Sequence, residues 1–194
     1  DLALDAEAGV ALAFRLAMAL DNEDDAHEAA LARIGLPLAK YLVTKRAPAL
    51  VAEAMECHGG AGYVEEGPLP RLFRQSPLNA IWEGSGNVIA LDMIRALGRE
   101  PETREALLRE LREAGCAEEA ETLLSSPVAE ADARFVIERL GLALAAATLC
   151  KRAPNAVSDG YVARRLNGSS LSFGAGRAAI DEAALIARLA LQTH

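Results

Sequence analysis

MECHGGAGYVEEGPLPRLFRQSPLNAIWEGSGNVIALDMIRAL, residues 55–97, is the stretch on which the reading of the fold turns. Gly59, Gly60 and Gly62 close one helical pattern with residues that tolerate positive φ and close backbone approach. Gly84 and Gly86 bracket Ser85 just before a second helical pattern begins. Between them stands Glu83, preceded by Ile81 and Trp82 and followed by Gly-Ser-Gly. A carboxylate in that setting is neither a solvated helix-face charge nor a helix-interior residue; it belongs to a loop laid beside apolar surface.

Outside this stretch the chain reads as helix. Hydrophobic residues make up 52% of the 194 residues while aromatics make up 4%, and alanine is abundant with few β-branched runs, so packed helices are favoured over sheets. The length is enough for one domain or a little more with a sizeable core. Leu2 to about Leu20 places Val10, Phe14, Ala17 and Met18 on one side, with Leu12, Leu16 and Leu20 alongside. The acidic turn at residues 21–25 ends that helix and favours the start of the next, predicted from Ala26 to Cys57. Pro37 and Pro48 fall inside it, and because the apolar spacing of Leu38, Leu42, Ala49 and Ala52 continues across both, kinks are expected rather than breaks.

Tyr63 to Pro77 reads as loop with at most a helical turn around Arg71 to Gln75. A further helix starts near Ser85 to Asn87, either of which can cap it, and Gly98 and Pro101 then mark a boundary. Beyond it, helices are predicted at Glu102–Ala114, Ala117–Ser125, Val128–Arg152, Ala156–Leu166 and Ala178–Leu191. This gives an all-α up-and-down bundle over residues 1–97 with a helical extension over residues 98–194.

Charge and cysteine usage exclude several classes. A net charge of −8 opposes loose binding to a polyanion, although Lys151 to His194 carries six Lys or Arg against three acids. Cys57, Cys116 and Cys150 are odd in number and lack metal-ligand spacing, so neither a disulfide framework nor a zinc site is expected, and a reducing cytoplasm fits. The apolar run from Leu140 to Cys150 is far short of the roughly 20 residues that span a bilayer. The chain opens at Asp1 directly into an amphipathic pattern with no leader, and reads as a piece of something longer.

The segment His58-Gly59-Gly60-Ala61-Gly62-Tyr63, the basic Pro70-Arg71-Leu72-Phe73-Arg74 and the loop Ile81-Trp82-Glu83-Gly84-Ser85-Gly86-Asn87 together resemble the acyl-CoA dehydrogenases. Trp82, Ser85 and Asn87, where ordinary members carry Tyr, Thr and Gln, point to the AidB-like branch associated with the DNA-alkylation response. The resemblance runs from about Leu12 to Leu97. It implies that Glu83 is the base that takes the α-proton of an acyl-CoA thioester while the β-hydrogen leaves as hydride to FAD. It also implies that Ser85, Asn87, Gly59, Gly60, Gly62 and Trp82 contact that flavin, the glycines from a neighbouring subunit of a homo-oligomer. The resemblance further implies that the backbone N–H of Glu83 donates to the thioester carbonyl, with Gly84 leaving it sterically open. A base for so weakly acidic a proton needs a polarised carbonyl, excluded water and burial, here expected against Trp82. The preceding β-domain and helices that hold most of the flavin are not in this sequence, so the fragment alone is expected to be inactive and to take up no FAD.

The residues also allow blander roles. Glu83 could cap the following helix or pair with Arg74, and the glycines could serve turns alone. A rival from another class is a double-stranded DNA-binding module with a vestigial dehydrogenase site, with Arg95, Arg164 and Arg165 as its contacts and Lys151, Arg152, Arg177 and Arg188 as further cations. One discriminator is whether these fall on one surface stripe. Gly174-Ala175-Gly176-Arg177-Ala178-Ala179 matches a dinucleotide fingerprint in wording but lacks a βαβ context. His27, His58 and His194 have no partners at ligand or triad spacing.

Overall fold

The computed structural model describes residues 1–168, 170 and 172–189. Nine α-helices and no strands are present among them. α1 (Leu2–Asp21) runs into the acidic turn, where the Asp25 carboxylate accepts from the backbone N–H groups of His27 and Glu28 and so caps α2 (Ala26–Cys57). That charge-assisted cap holds the Asp25 carboxyl below its ordinary range. α2 passes through Pro37 and Pro48 without ending, as the continuous apolar spacing predicts.

α3 (Leu69–Gln75) follows a 3₁₀ turn at Gly59–Gly62, and a second 3₁₀ turn at Ser76–Ala80 leads to the Glu83 loop and α4 (Gly86–Arg99). The remaining helices are α5 (Pro101–Glu113), α6 (Glu118–Leu123), α7 (Ala133–Arg152), α8 (Asn155–Tyr161) and α9 (Glu182–Leu189). α7 begins later than Val128, because Pro127 and a 3₁₀ turn at Glu130–Asp132 occupy the approach. The helix predicted at Ala156–Leu166 turns into a π-helical segment at Val162–Leu166. The predicted end of the last helix at Leu191 lies outside the described residues.

α7 is the centre of the core. Its residues from Leu140 to Leu149 are almost all fully buried, and it packs on α1, α2 and α5. Small residues Ala143, Ala145, Ala146 and Ala147 let those helices approach closely. Buried residues from either side of Leu97 belong to one hydrophobic cluster, from Leu4 and Leu38 through Met93 to Leu107, Ile137 and Leu185. The inward face of α1 differs from the one expected. Leu4, Ala8, Leu12, Leu16 and Ala19 point into the core, while Phe14 is 70% exposed and Val10 59% exposed. α1 has two apolar faces of the same period, and the packing of α2 and α7 selects the one built of leucine and alanine. No described helix is long and apolar enough to cross a membrane.

Candidate active site

α2 is the support on which the loop carrying Glu83 is laid. Lys40, in the middle of α2, donates through Nζ to the carbonyls of Trp82 at 2.5 Å and Gly84 at 2.8 Å, the residues on either side of Glu83. Glu83 has φ +53° and Gly84 φ +106°. Two successive positive-φ residues turn the chain sharply from the 3₁₀ turn into α4. At Gly84 this is free of steric cost, whereas at Glu83 it costs on the order of 1–3 kcal/mol. Gly86 then seats α4 on α2, since a Cβ there would fall 2.6 Å from Lys45 Cε. Ile89, Ala90, Met93, Ala96 and Leu97 bury the inner face of α4.

The result is an open groove of about 710 Å³ between Leu36, Pro37 and Thr44 of α2 and Val88, Ile89 and Arg95 of α4, with Trp82 and Glu83 on its wall. Glu83 is exposed and its side chain has no hydrogen bond or ion pair among the described residues. Its backbone N–H is likewise without a partner among them. The blander readings of Glu83 are not realised: Arg74 forms a two-pronged pair with Glu65 at 2.7 and 2.9 Å, and α4 has Ser85 at its N-cap with no side-chain cap. The expected capping hydrogen bond from Ser85 is therefore absent, and Asn87 instead accepts from Arg134 of α7 at 3.2 Å. Trp82 is 55% exposed, so this chain by itself does not bury Glu83. Lys40 is the site residue that the sequence reading passed over; its signal was a lone cation in the apolar run Ile34–Val43.

The glycine loop lies elsewhere on α2. Gly62 packs against the Met55 carbonyl, 15 residues along α2 from Lys40, which at about 1.5 Å per residue is roughly 20 Å. Gly59 has φ +58°, and neither it nor Gly60 would bring a Cβ within 4 Å of any atom. Gly62 is different. Its φ is not in the left-handed region, and an added Cβ would collide with backbone of Met55, so packing rather than backbone freedom requires glycine there. Gly62→Ala is therefore expected to destabilise the chain by about 1–3 kcal/mol in urea unfolding, the range for overpacking. Gly60→Ala should stay within about 0.5 kcal/mol of the parent.

The basic residues do not form one free stripe. Arg165 is buried and bonded to Asp5 at 2.8 Å, because burying a guanidinium at the junction of α1 and the π-helical segment demands a carboxylate partner. Arg164 donates to the Gly176 carbonyl, Lys151 pairs with Glu113 and Glu110, and Arg188 pairs with Glu7. Arg95 is exposed, in the Glu83 groove. Residues 174–179 form no helix and follow no strand, and Gly174 N–H is taken by Asp1. His58 bonds the Ala54 carbonyl, His194 lies outside the described residues, and no group of three or more His, Cys, Asp or Glu is placed to hold a metal among the described residues.

Fold and site thus define an all-α domain that presents a strained loop carboxylate beside an apolar groove. The profile described as "Acyl-CoA dehydrogenase, C-terminal domain" matches residues 1–98, and the chain belongs to the acyl-CoA dehydrogenase family as its C-terminal helical domain. It is 52% identical over 99 residues to the putative acyl-CoA dehydrogenase AidB of Escherichia coli K12, covering 51% of this chain and 18% of that protein. It is 42% identical over 74 residues to acyl-CoA dehydrogenase family member 11 of Caenorhabditis elegans, covering 38% of this chain and 12% of that protein.

Among solved structures, Caenorhabditis elegans ACDH-11 in complex with C11-CoA superposes with a TM-score of 0.65 at 27% identity, over 84% of this chain and 32% of that one. Bd2924 in its apo-form gives 0.69 at 30% identity, over 77% and 32%. The structural likeness therefore extends past the segment matched by the family profile, into the later helices. The chain spans about a fifth or less of the length of these curated relatives.

Proposed function

We propose that this chain is the helical C-terminal part of a flavin-dependent acyl-CoA dehydrogenase of the AidB-like type, with Glu83 as the base that takes the α-proton of an acyl thioester. The observation that carries this reading is the loop itself. Glu83 is held at φ +53° by Lys40 on the carbonyls to either side, and its carboxylate is left without a partner on an apolar wall. A strained, unpaired acid at the rim of a groove has no structural task that a glycine or asparagine would not perform better.

In this reading the free N–H of Glu83 donates to the thioester carbonyl and so raises the acidity of the α-proton, while Gly84 at φ +106° provides the turn that presents it. Desolvation of the carboxylate comes with the acyl chain, which covers the groove beside Trp82, Val88 and Ile89. The solved relative bound to C11-CoA supports an acyl-CoA as the substrate class.

The residues present fit one flank of FAD. Gly59 and Gly60 leave open space where a side chain would stand, and Ser85 and Asn87 are exposed at the start of α4, where backbone donors and the helix dipole favour oxygen-rich groups. When bound, the flavin supplies the acceptor for the β-hydrogen. The roughly 20 Å along α2 between the glycine loop and the Glu83 loop supports their serving different flavins in a homo-oligomer. The exposed Val10, Phe14 and Met18 stripe of α1 supports further packing of chain or subunit on that face. Residues 98–194 act in this reading as an extension that completes the core. The duplex-binding alternative has less support, since Arg165 is buried in an ion pair with Asp5 and Lys151 and Arg188 are paired with carboxylates.

The test is anaerobic titration of the complete flavoprotein with saturated acyl-CoA thioesters of increasing length. Loss of the visible flavin absorbance with at least one of them is expected. Full retention of colour with every chain length would exclude dehydrogenation of these substrates.

A further inference from the structure

A second cavity, of about 370 Å³, lies between α2, α7 and the segment after the π-helical turn, and shares no lining residue with the Glu83 groove. Its walls carry five cations: Lys45, Arg46, Arg139, Arg164 and Arg165. Asp5 accepts from both Arg46 at 2.6 Å and Arg165 at 2.8 Å, and Glu119 takes Arg139 at 2.6 and 2.7 Å. Asp1 stands 3.7 Å from Arg165, its carboxylate bonded instead by the Gly174 N–H, and Glu138 lines the cavity from an exposed position. Lys45 and Arg164 have no carboxylate partner among the described residues.

Two buried donors are left over as well. Nε of Arg46 and Nε of Arg164 make no hydrogen bond. Lys45 and Arg164 are cations without a carboxylate partner at a cavity with room for many waters, and the group that relieves them best is an anion with several acceptor oxygens. A phosphate monoester supplies three such oxygens and a charge of about −1.5 to −2 at neutral pH. The rest of the wall mixes Tyr41 and Phe173 with aliphatic residues, Ser170 and Ser172. Phe173 has the guanidinium carbons of Arg46 and Arg165 at 5.6 and 5.5 Å from its ring centroid, within cation–π range.

We propose that this cavity binds a small phosphate monoester, with its phosphate among Lys45, Arg46 and Arg164 and its organic part against Phe173. The occupant is a small molecule rather than a nucleic-acid backbone, because the cations line a recess, Glu138 is exposed on its wall and the chain's net charge of −8 opposes a continuous polyanion.

The experiment is isothermal titration of the purified protein at fixed ionic strength with inorganic phosphate, with adenosine monophosphate as a monoester probe, and with a duplex oligonucleotide. Both small phosphates are expected to bind, the monophosphate more tightly. Arg164→Gln and Lys45→Met should each weaken that binding at least tenfold with helical circular dichroism unchanged, and Arg99→Gln, on the exposed end of α4, should leave it as it was. If one cavity variant fails to fold, the other decides. No heat from either small phosphate, equal affinity in a folded cavity variant, or binding of the duplex alone would overturn the proposal.

Discussion

Arg15→Met is expected to remove about 3–5 kcal/mol of folding stability at neutral pH, more than half of what many domains possess. Arg15 is 5% exposed on the inward face of α1, with its guanidinium shared between two carboxylates. It donates to Glu110 at 2.9 and 3.2 Å and to Glu28 at 2.7 and 3.0 Å. Burial opposes its charge, and the hydrogen bonds of Glu110 and then Glu28 more than compensate, so its pKa is raised. Without it, Glu110, 2% exposed, would keep only Lys151 at 3.2 Å. Replacing Arg15 and Glu110 together by methionine should recover most of the loss, because the cost lies in the stranded charge rather than in the absence of a pair. Urea unfolding of the two single variants and the double variant measures both effects.

The same cluster sets a pH dependence. Burial pushes the Glu110 carboxyl up, but the hydrogen bond and charge of Arg15, followed by those of Lys151, outweigh it and hold the group below its ordinary 4.5. Glu113, bonded to Lys151 and Arg109, is held down at about 2. Both pKa values are depressed in the folded state, so their stabilisation is complete above about pH 4.5 and is lost as the pH falls through the folded values.

Much of the helical order was legible because it follows from local periodicity. α2 was read as Ala26 to Cys57 and is observed with those bounds, although two prolines argue against it; the apolar spacing across Pro37 and Pro48 outweighed their local penalty. The face of α1 was not legible. Val10, Phe14 and Met18 repeat with the same period as Leu4, Ala8, Leu12 and Leu16, and only the distant α7 and α2 decide which set is buried. A charge at Arg15, one step from Leu16 within that second set, was the available signal, but its partner Glu110 lies 95 residues away.

At the candidate site the loop position of Glu83 between an aromatic and glycines was plain from the sequence, as was the start of α4. Its strain was not, since no residue preference marks a glutamate for φ +53°. Nor was the tie from Lys40, which depends on where the loop crosses α2. Gly62 was read as needing positive φ and close backbone approach; its φ is ordinary, and the close approach is to the Met55 backbone of this chain. The desolvation expected from Trp82 is not supplied by the chain alone, and in the proposed mechanism it falls to the substrate.

Glu83→Gln is the substitution on which the proposed chemistry turns. Glutamine keeps the shape of the side chain, leaves the Lys40 bonds to Trp82 and Gly84 in place, and cannot accept the α-proton. Losing a positioned base lowers a rate by about 10² to 10⁴. The direct measurement is anaerobic stopped-flow mixing of the parent and variant flavoproteins, matched for bound flavin, with an acyl-CoA that bleaches the parent. Equal flavin content and a bleaching rate lower by about two to four powers of ten are expected in the variant. An unchanged rate would contradict the proposed chemistry and place the base on another residue.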